Sequence, residues 1–249
     1  MDSQYEIVYH QLEEQHWWFK GRRDMTFRLV QQLNLPPEAA ILEVGCSGGP
    51  LLLALRAVGF QQLTGIDISE KGIALAKTRG LTNVSVMDGA RLDFPDQSFD
   101  LLIASDVLEH IQDEQQALRE WSRVLRPGGC AIIFVPAYQQ LWSQHDVANH
   151  HFRRYTKATL RHALIQQNLQ VNRLSYWNLS LFFPTYFVRI SQRLIRGQRP
   201  LSSTGTGDLH YLPRFLNHFL VRLLQSENAL LGRLNFPVGV SVFALAQKS

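Results

Sequence analysis

The stretch Ala40-Ile41-Leu42-Glu43-Val44-Gly45-Cys46-Ser47-Gly48-Gly49-Pro50 runs from apolar residues through a glycine-rich turn to a proline suited to the first turn of a helix. Glycine lets the backbone turn sharply and approach a ligand with no Cβ in the way. A strand, such a turn and a helix open a βαβ unit, and a nucleotide-type ligand is expected at the turn. The strict G-x-G-x-x-G fingerprint is not met, because Ser47 holds the middle glycine's place after Gly45. Outward from this stretch, short apolar runs recur at Leu63-Thr64-Gly65-Ile66, Val84-Ser85-Val86, Leu101-Leu102-Ile103-Ala104 and Ala131-Ile132-Ile133-Phe134-Val135. Helices are predicted between them at Pro50 to Val58, Glu70 to Thr78 and Asp113 to Leu125, the last stopped by Pro127-Gly128-Gly129. Five strands alternating with helices predict an α/β chain with a parallel sheet.

The acids stand at strand ends. The second strand closes in Gly65-Ile66-Asp67-Ile68, with Asp67 placed 24 residues after Glu43, where a carboxylate can accept both hydroxyls of a ribose. The third closes in Val86-Met87-Asp88-Gly89-Ala90, where Asp88 could accept from an adenine amino group. Surface acids explain any one of Glu43, Asp67 and Asp88, but hardly all three. Before the sheet, Ile7 to Leu33 reads as one or two aromatic-rich helices ended by Pro36-Pro37. After it come a polar, His-rich segment from Gln139 to Tyr155, a helix from Lys157 to Asn168 and a strand from Val171 to Trp177. Gly197 to Asp208 reads as a flexible loop, Leu216, Phe219, Leu220, Leu223 and Leu224 recur at helical spacing, and Val238 to Ala244 reads as a closing strand.

With 45% hydrophobic and 18% charged residues in 249, disorder and a disulfide-stapled scaffold are excluded. Cys46 and Cys130 have no second pair with which to build a zinc site, and read as reduced thiols of a cytoplasmic chain. Residues 1–150 hold 12 Lys/Arg against 19 Asp/Glu, net −7, while residues 151–249 hold 13 against two, net +11. Such asymmetry points to an anionic partner for the C-terminal part, whether nucleic acid, membrane surface or phosphate-bearing substrate, or to a solvated basic surface. No secretory signal is read at the N-terminus. The uncharged stretch Leu174 to Val188 has fifteen residues broken by Asn178 and Pro184, too short to span a bilayer, but its flanking Arg173, Arg189, Arg193, Arg196 and Arg199 suit an interfacial segment.

Ile41 to Gly49, Gly65-Ile66-Asp67-Ile68-Ser69, Asp88 through Asp100, Ser105-Asp106-Val107-Leu108-Glu109-His110 and Val124-Leu125-Arg126-Pro127-Gly128-Gly129 together resemble the class I S-adenosylmethionine-dependent methyltransferases. That resemblance covers residues 38–137. It implies a Rossmann-like, seven-stranded, mostly parallel sheet flanked by helices, with an antiparallel seventh strand for which Val238 to Ala244 is the candidate. It also implies S-adenosylmethionine as cofactor and S-adenosylhomocysteine as product. By the same resemblance Glu43, Gly45, Cys46 and Gly48 surround the methionine and sulfonium end, Asp67 and Ile68 the ribose, Asp88, Gly89 and Ala90 the adenine, and Ser105 the wall beside the transferred methyl. Ser47 departs from the glycine more usual in that loop. The flanks Glu14 to Arg23, containing His16-Trp17-Trp18-Phe19, with His145-Asp146, His151 to Thr156, Ser175 to Asn178 and Phe236 to Ser241, look like a subgroup associated with glycan or lipid modification. The organisation expected is a helical lid over 1–37, then a methyltransferase domain over 38–249. The cofactor half is 38–137 and the basic acceptor half is 138–249, with a helical insertion over about 178–235 before the last strand.

Methyl transfer from a sulfonium is an in-line displacement in which the protein aligns nucleophile, carbon and sulfur. A hydroxyl nucleophile gains from a nearby base, and imidazole titrates in the useful range. His110, beyond the fourth strand, and His145 and His151, after the fifth, are the candidates; each has the alternative of capping a loop, and His145 with Asp146 need not form a dyad. Asp106, Glu109 and His110 are similar to an acidic-x-x-Glu-His pattern of ubiquinone-pathway O-methyltransferases, where a divalent cation helps deprotonate a phenol. The same letters occur without metal in the superfamily, and three ligands on one short turn rarely converge, so no metal is assigned. His16, Trp17 and Trp18 are read as a lid that excludes water, and Arg22, Arg153 and Arg154, with Tyr155, as acceptor contacts suited to phosphate or carboxylate. The leading expectation is O-methylation of a small or lipid- or glycan-linked acceptor in the cytoplasm, with the basic C-terminal part meeting either phosphate groups or the cytoplasmic face of a membrane. A nucleic-acid methyltransferase is opposed by Ser105-Asp106-Val107-Leu108 in place of Asn/Asp-Pro-Pro-Tyr/Phe, and a non-catalytic cofactor-binding protein is the third reading.

Overall fold

The computed structural model of the chain describes residues 12–196 and 211–249. The expected flexible loop and residues 7–11 of the expected N-terminal helices therefore fall wholly or largely outside the described residues. The central strand β1 (Ala40–Val44) is buried along its whole length, as a strand covered on both faces must be. It lies between β2 (Gln62–Asp67) and β4 (Phe99–Ser105), parallel to both. With β3 (Val84–Val86), β5 (Leu125–Pro136), β6 (Leu169–Trp177) and β7 (Ser241–Lys248), the sheet has the order β3-β2-β1-β4-β5-β7-β6. β7 runs antiparallel to both neighbours, and the seven-stranded, mostly parallel architecture is the one implied by the resemblance.

Helices α2 (Pro50–Ala57), α3 (Glu70–Thr78), α4 (Glu114–Val124) and α6 (Lys157–Ile165) link or follow the strands. Local chemistry sets their starts: Pro50 occupies the first turn of α2, the Ser69 hydroxyl accepts from Gly72 N at 2.9 Å, and the Asp113 carboxylate accepts from Gln116 N at 3.0 Å. Ile41, Leu42, Leu55, Leu101, Leu102, Trp121, Ile132, Phe134 and Phe243 sit in the central core.

Several expectations shift. Pro127-Gly128-Gly129 does not mark a loop: the chain leaves α4 at Val124 straight into β5, whose pairing with β4 slips between Phe99 and Leu101. Gly128 takes φ +78 there, which spares the strand the cost of a Cβ. β7 begins three residues later than expected, after Gly239, where a Cβ would meet the Trp177 backbone, and runs on to Lys248 because β6 pairs with that end. The uncharged stretch from Leu174 is not one segment. Leu174 to Trp177 ends β6, Asn178 turns at φ +65, and α7 (Phe182–Arg196) starts afresh.

The His16 to Phe19 cluster opens α1 (Trp17–Gln32), with His16 as its N-cap. α1 lies against α8 (Arg214–Leu231), which lengthens the expected helix at both ends. Asn228 Nδ2 donates to Gly21 O at 2.9 Å and to Asp24 Oδ2 at 2.8 Å, while Trp177 Nε1 donates to Asn228 Oδ1 at 2.8 Å. Gly21 lets the helices approach, since a Cβ there would strike Leu224 Cδ1. Among the described residues no helix is long and apolar enough to cross a membrane.

Candidate active site

A cavity of about 1410 Å³ is lined by residues at the C-terminal ends of β1, β2 and β4, at the β1/β4 point where the strand order reverses. Open α/β sheets bind ligands at such a point. The glycine turn forms one wall. Gly45 takes φ +76, and a Cβ there would strike Val107; one on Gly89 would lie 2.8 Å from Val44 Cγ1. These two bare backbones leave room that any side chain would fill. Asp67 is held by the turn it faces, accepting from Ser47 N at 2.8 Å through Oδ2 and from Ser69 N at 2.8 Å through Oδ1. Asp88 accepts from Ala90 N at 2.9 Å. Ile68, 79% exposed, sets an apolar surface between the two acids in sequence.

Gly45, Asp67, Ile68, Asp88, Gly89, Ala90 and Ser105 all line the cavity. Glu43, Cys46 and Gly48 stand behind it. Glu43 is buried, its Oε2 has no hydrogen-bond partner among the described residues, and burial followed by the charge of Asp67 drives its pKa well up. Cys46 packs on Gly65, where a Cβ would come within 2.8 Å of its sulfur, and burial raises its thiol pKa. Gly48 O accepts from Arg79 Nη1 at 2.7 Å, and the same guanidinium holds Glu13 at 2.8 Å. Glu13 Oε2 in turn accepts from the Ser47 hydroxyl at 2.6 Å. Nothing in the local sequence links residue 13 to a turn at residue 47, so this strap across the glycine loop was not foreseeable.

The histidines gather on the cavity too. His110 and His151 have ring centroids 4.5 Å apart, edge to face, and His145 stands 5.8 Å from His151. His110 lines the cavity; desolvation first, then the neighbouring His151, lower its pKa, which leaves the imidazole neutral at neutral pH. His145 and Asp146 do not pair. Asp146, fully buried, accepts from His151 Nδ1 at 2.9 Å and from Arg154 Nε at 2.7 Å. Burial alone would raise the Asp146 pKa, but the His151 hydrogen bond and the Arg154 charge overcome it and hold the group well below the usual carboxylate range. Ser143 and Asp146 form a reciprocal cap on α5 (Gln144–Ala148), the one sign in the sequence that fixes Asp146.

His16, Trp17, Trp18 and Phe19 line the cavity as well. The arginine clamp expected on the acceptor is not what the side chains form. The Arg22 guanidinium is buried over Trp177, Phe134 and Trp18, at 4.3, 4.4 and 5.3 Å from their ring centroids, and faces Asp106 at 3.4 Å and Ser241 Oγ at 2.8 Å. Arg153 pairs with Glu114 at 3.3 Å, and the buried Tyr155 donates to Glu114 Oε2 at 2.6 Å; neither lines the cavity. Arg154 lines it but is committed to Asp146. Each of these cations answers an acid of this chain, a pairing that spacing alone does not reveal. Asn149, Leu181 and Thr185 line the cavity without having been singled out individually, and so do Arg189, read as part of an interfacial segment, and Ser241, the last residue of a flanking motif.

Residues 42–133 match the family described as a methyltransferase domain. Over 112 residues the chain is 33% identical to the 27-O-demethylrifamycin SV methyltransferase of Amycolatopsis mediterranei, covering 42% of this chain and 41% of that one. It is 32% identical over 108 residues to the demethylmenaquinone methyltransferase of Chlorobaculum tepidum, covering 43% and 44%. To the phosphoethanolamine N-methyltransferase 1 of Arabidopsis thaliana it is 32% identical over 121 residues, covering 45% and 24%. The chain thus spans less than half the length of these relatives. Among solved structures, an S-adenosylmethionine-dependent methyltransferase from Mesorhizobium loti has the same fold, with a TM-score of 0.57 at 17% identity over 88% of this chain and 96% of that one. So does the Haemonchus contortus phosphoethanolamine N-methyltransferase 2 in complex with S-adenosyl-L-methionine, with a TM-score of 0.57 at 16% identity over 90% and 52%. Residues 42–133 thus match a family of methyltransferase domains, and the sheet built around them has the fold of solved S-adenosylmethionine-dependent methyltransferases.

Proposed function

We propose that the chain transfers a methyl group from S-adenosylmethionine to a hydroxyl oxygen of a small acceptor, one carried on a lipid or glycan. The observation that carries this reading is one cavity lined by two chemistries: carboxylates at successive strand ends, and a group of imidazoles together with the aromatic side chains of Trp17, Trp18 and Phe19. About 1410 Å³ exceeds the range of roughly 300–1,000 Å³ usual for a single small ligand, so cofactor and acceptor fit together.

The cofactor supplies an electrophilic methyl on a sulfonium. Asp67 orients the ribose, Asp88 with Gly89 and Ala90 the adenine, and the turn at Gly45 and the Ser105 strand end meet the methionine and sulfonium portion. Trp17 and Trp18 keep water from the path. An uncharged imidazole at His110, supported by His151 and His145, takes the acceptor's proton as its oxygen forms the new bond to carbon and the sulfur regains its electron pair. The relatives' names include a rifamycin, a menaquinone precursor and phosphoethanolamine, all small molecules. The lipid-linked class is favoured by α7 and α8, where exposed Phe183, Phe187, Val188, Phe215 and Phe219 are interspersed with Arg189, Arg193, Arg214 and Arg222, a pattern suited to an anionic membrane surface.

The test is incubation of the purified protein with methyl-labelled cofactor and a cell extract, followed by separation into lipid, glycan, nucleic-acid and small-molecule pools. Label in the lipid or glycan pool, retained after mild base that cleaves methyl esters, supports the reading. Label in nucleic acid overturns the acceptor class, and tight cofactor binding with no transfer to any pool overturns the activity.

A further inference from the structure

Glu109, His110 and His151 each offer one ligand atom, and these atoms all lie within 4.8 Å of one another on the cavity wall. Two ligands of one tetrahedral zinc ion stand about 3.4 Å apart, so the set closes by side-chain rotations that bring these atoms up to roughly an ångström and a half nearer to one another. Two further observations point the same way. Glu109 is 1% exposed, yet its Oε2 has no hydrogen-bond partner among the described residues, an expensive condition for a carboxyl oxygen. His151 has its Nδ1 on Asp146 Oδ1 at 2.9 Å, and Asp146 is itself fixed by Arg154 and by Ser143 N at 2.7 Å. That arrangement directs the Nε2 lone pair of His151 away from Asp146, and a buried carboxylate behind a histidine is the usual outer support of a metal ligand.

We propose that Glu109, His110 and His151 form a binding site for one divalent transition-metal ion, with Asp146 as the residue that positions His151. Two imidazoles and one carboxylate suit zinc, iron(II) or manganese(II) better than magnesium or calcium, which prefer oxygen alone. The set differs from the one readable along the chain. Asp106 turns its carboxylate to Arg22 at 3.4 Å, and the third ligand comes instead from residue 151, brought in where Phe152 N donates to Glu109 O at 2.8 Å. His145 lies outside the set. For catalysis, which rests on the methyl-transfer reading, an ion held there would acidify an acceptor hydroxyl; it would occupy the lone pair of His110, so that with the ion bound His145, outside the set, would take the role of base that His110 has without it.

The site is tested on the full chain, stripped with chelator, by calorimetric titration with Zn²⁺ and by the absorption spectrum of added Co²⁺, with neither cofactor nor acceptor present. One ion per chain is expected, with visible Co²⁺ bands of low coordination number. Glu109→Gln, His110→Ala and His151→Ala should each weaken Zn²⁺ at least a hundredfold, and Asp146→Asn ten- to a hundredfold. Asp106→Asn should change it less than tenfold. Binding of S-adenosylhomocysteine reports that each variant is folded, and the comparison uses those that pass. No Zn²⁺ uptake by the parent chain overturns the proposal, as does folded His151→Ala with unchanged affinity, or Asp106→Asn with as great a loss as Glu109→Gln. A chain that binds S-adenosylhomocysteine but no Zn²⁺ loses this site and keeps the methyl-transfer reading.

Discussion

Ser47 sits at φ +48, a conformation that costs a residue with a Cβ about 1–2 kcal/mol. Its hydroxyl recovers that cost through the 2.6 Å bond to Glu13, since a hydrogen bond to a charged group is worth about 1.5–3 kcal/mol. Ser47→Gly removes both effects and should leave stability within about 1 kcal/mol. Ser47→Ala removes only the bond and should cost about 1–3 kcal/mol in urea unfolding. If alanine is tolerated as well as glycine, the strap from Glu13 does not stabilise the loop. Asp146 supplies a pH-dependent counterpart. Its folded pKa lies below the unfolded one, so its contribution is fully present above the ordinary carboxylate value of about 4 and is lost as pH falls through the depressed value. Asp146→Asn should therefore cost about 3 kcal/mol at neutral pH, with the gap to the parent chain closing on acidification below about pH 4. A gap that stays constant in chemical unfolding from pH 7 to pH 3 would show that the ionised carboxylate is not what matters.

At the scale of elements, the helix proposed as a lid is held from a distance. α1 carries Trp17 and Trp18 to the cavity, but its docking depends on α8: Trp17 N donates to Asn217 Oδ1 at 2.8 Å, and the fully buried Asn228 bonds the Gly21 carbonyl, Asp24 and Trp177. α8 in turn organises α7, because Glu227 accepts from Leu179 N at 2.7 Å and from Ser180 N at 2.9 Å just before that helix begins. Asn228→Ala strands buried groups on both neighbours, at about 1–3 kcal/mol for each group left unsatisfied. The expected result is faster hydrogen exchange of the α1 amides than of the β1 and β4 amides, together with weaker binding of S-adenosylhomocysteine. Uniform acceleration across the sheet would mean that α1 does not open as a separate unit.

Over the whole molecule, the sheet was legible because each of β1 to β5 carries a short apolar run closed by turn residues, and the acids at Asp67 and Asp88 follow those runs directly. What was illegible joins residues far apart in sequence. The Glu13 strap, the Asn228 network, Arg22 over Trp177, and the meeting of His151 with Glu109 and His110 are set by packing of α1, α8 and the segment after β5, which no local pattern encodes. The arginine clamp failed for the same reason, because the acids that claim Arg22, Arg153 and Arg154 lie on other elements. Charge is different, being a sum that composition fixes in advance. The net +11 over residues 151–249 lies in the same half as the exposed aromatic residues of α7 and α8. Each basic residue near an anionic bilayer contributes about 1 kcal/mol that salt screens, whereas apolar insertion is insensitive to salt. Sedimentation with vesicles should therefore show binding to mixed anionic and zwitterionic lipid that falls severalfold between 50 and 300 mM salt, with little binding to zwitterionic lipid alone. Phe187→Ser should weaken the anionic-vesicle binding at both salt concentrations, while Arg189→Gln with Arg193→Gln should lower it mainly at 50 mM and flatten the salt dependence. Equal binding to both vesicle types would remove the electrostatic half of this surface, and no response to Phe187→Ser would remove the apolar half.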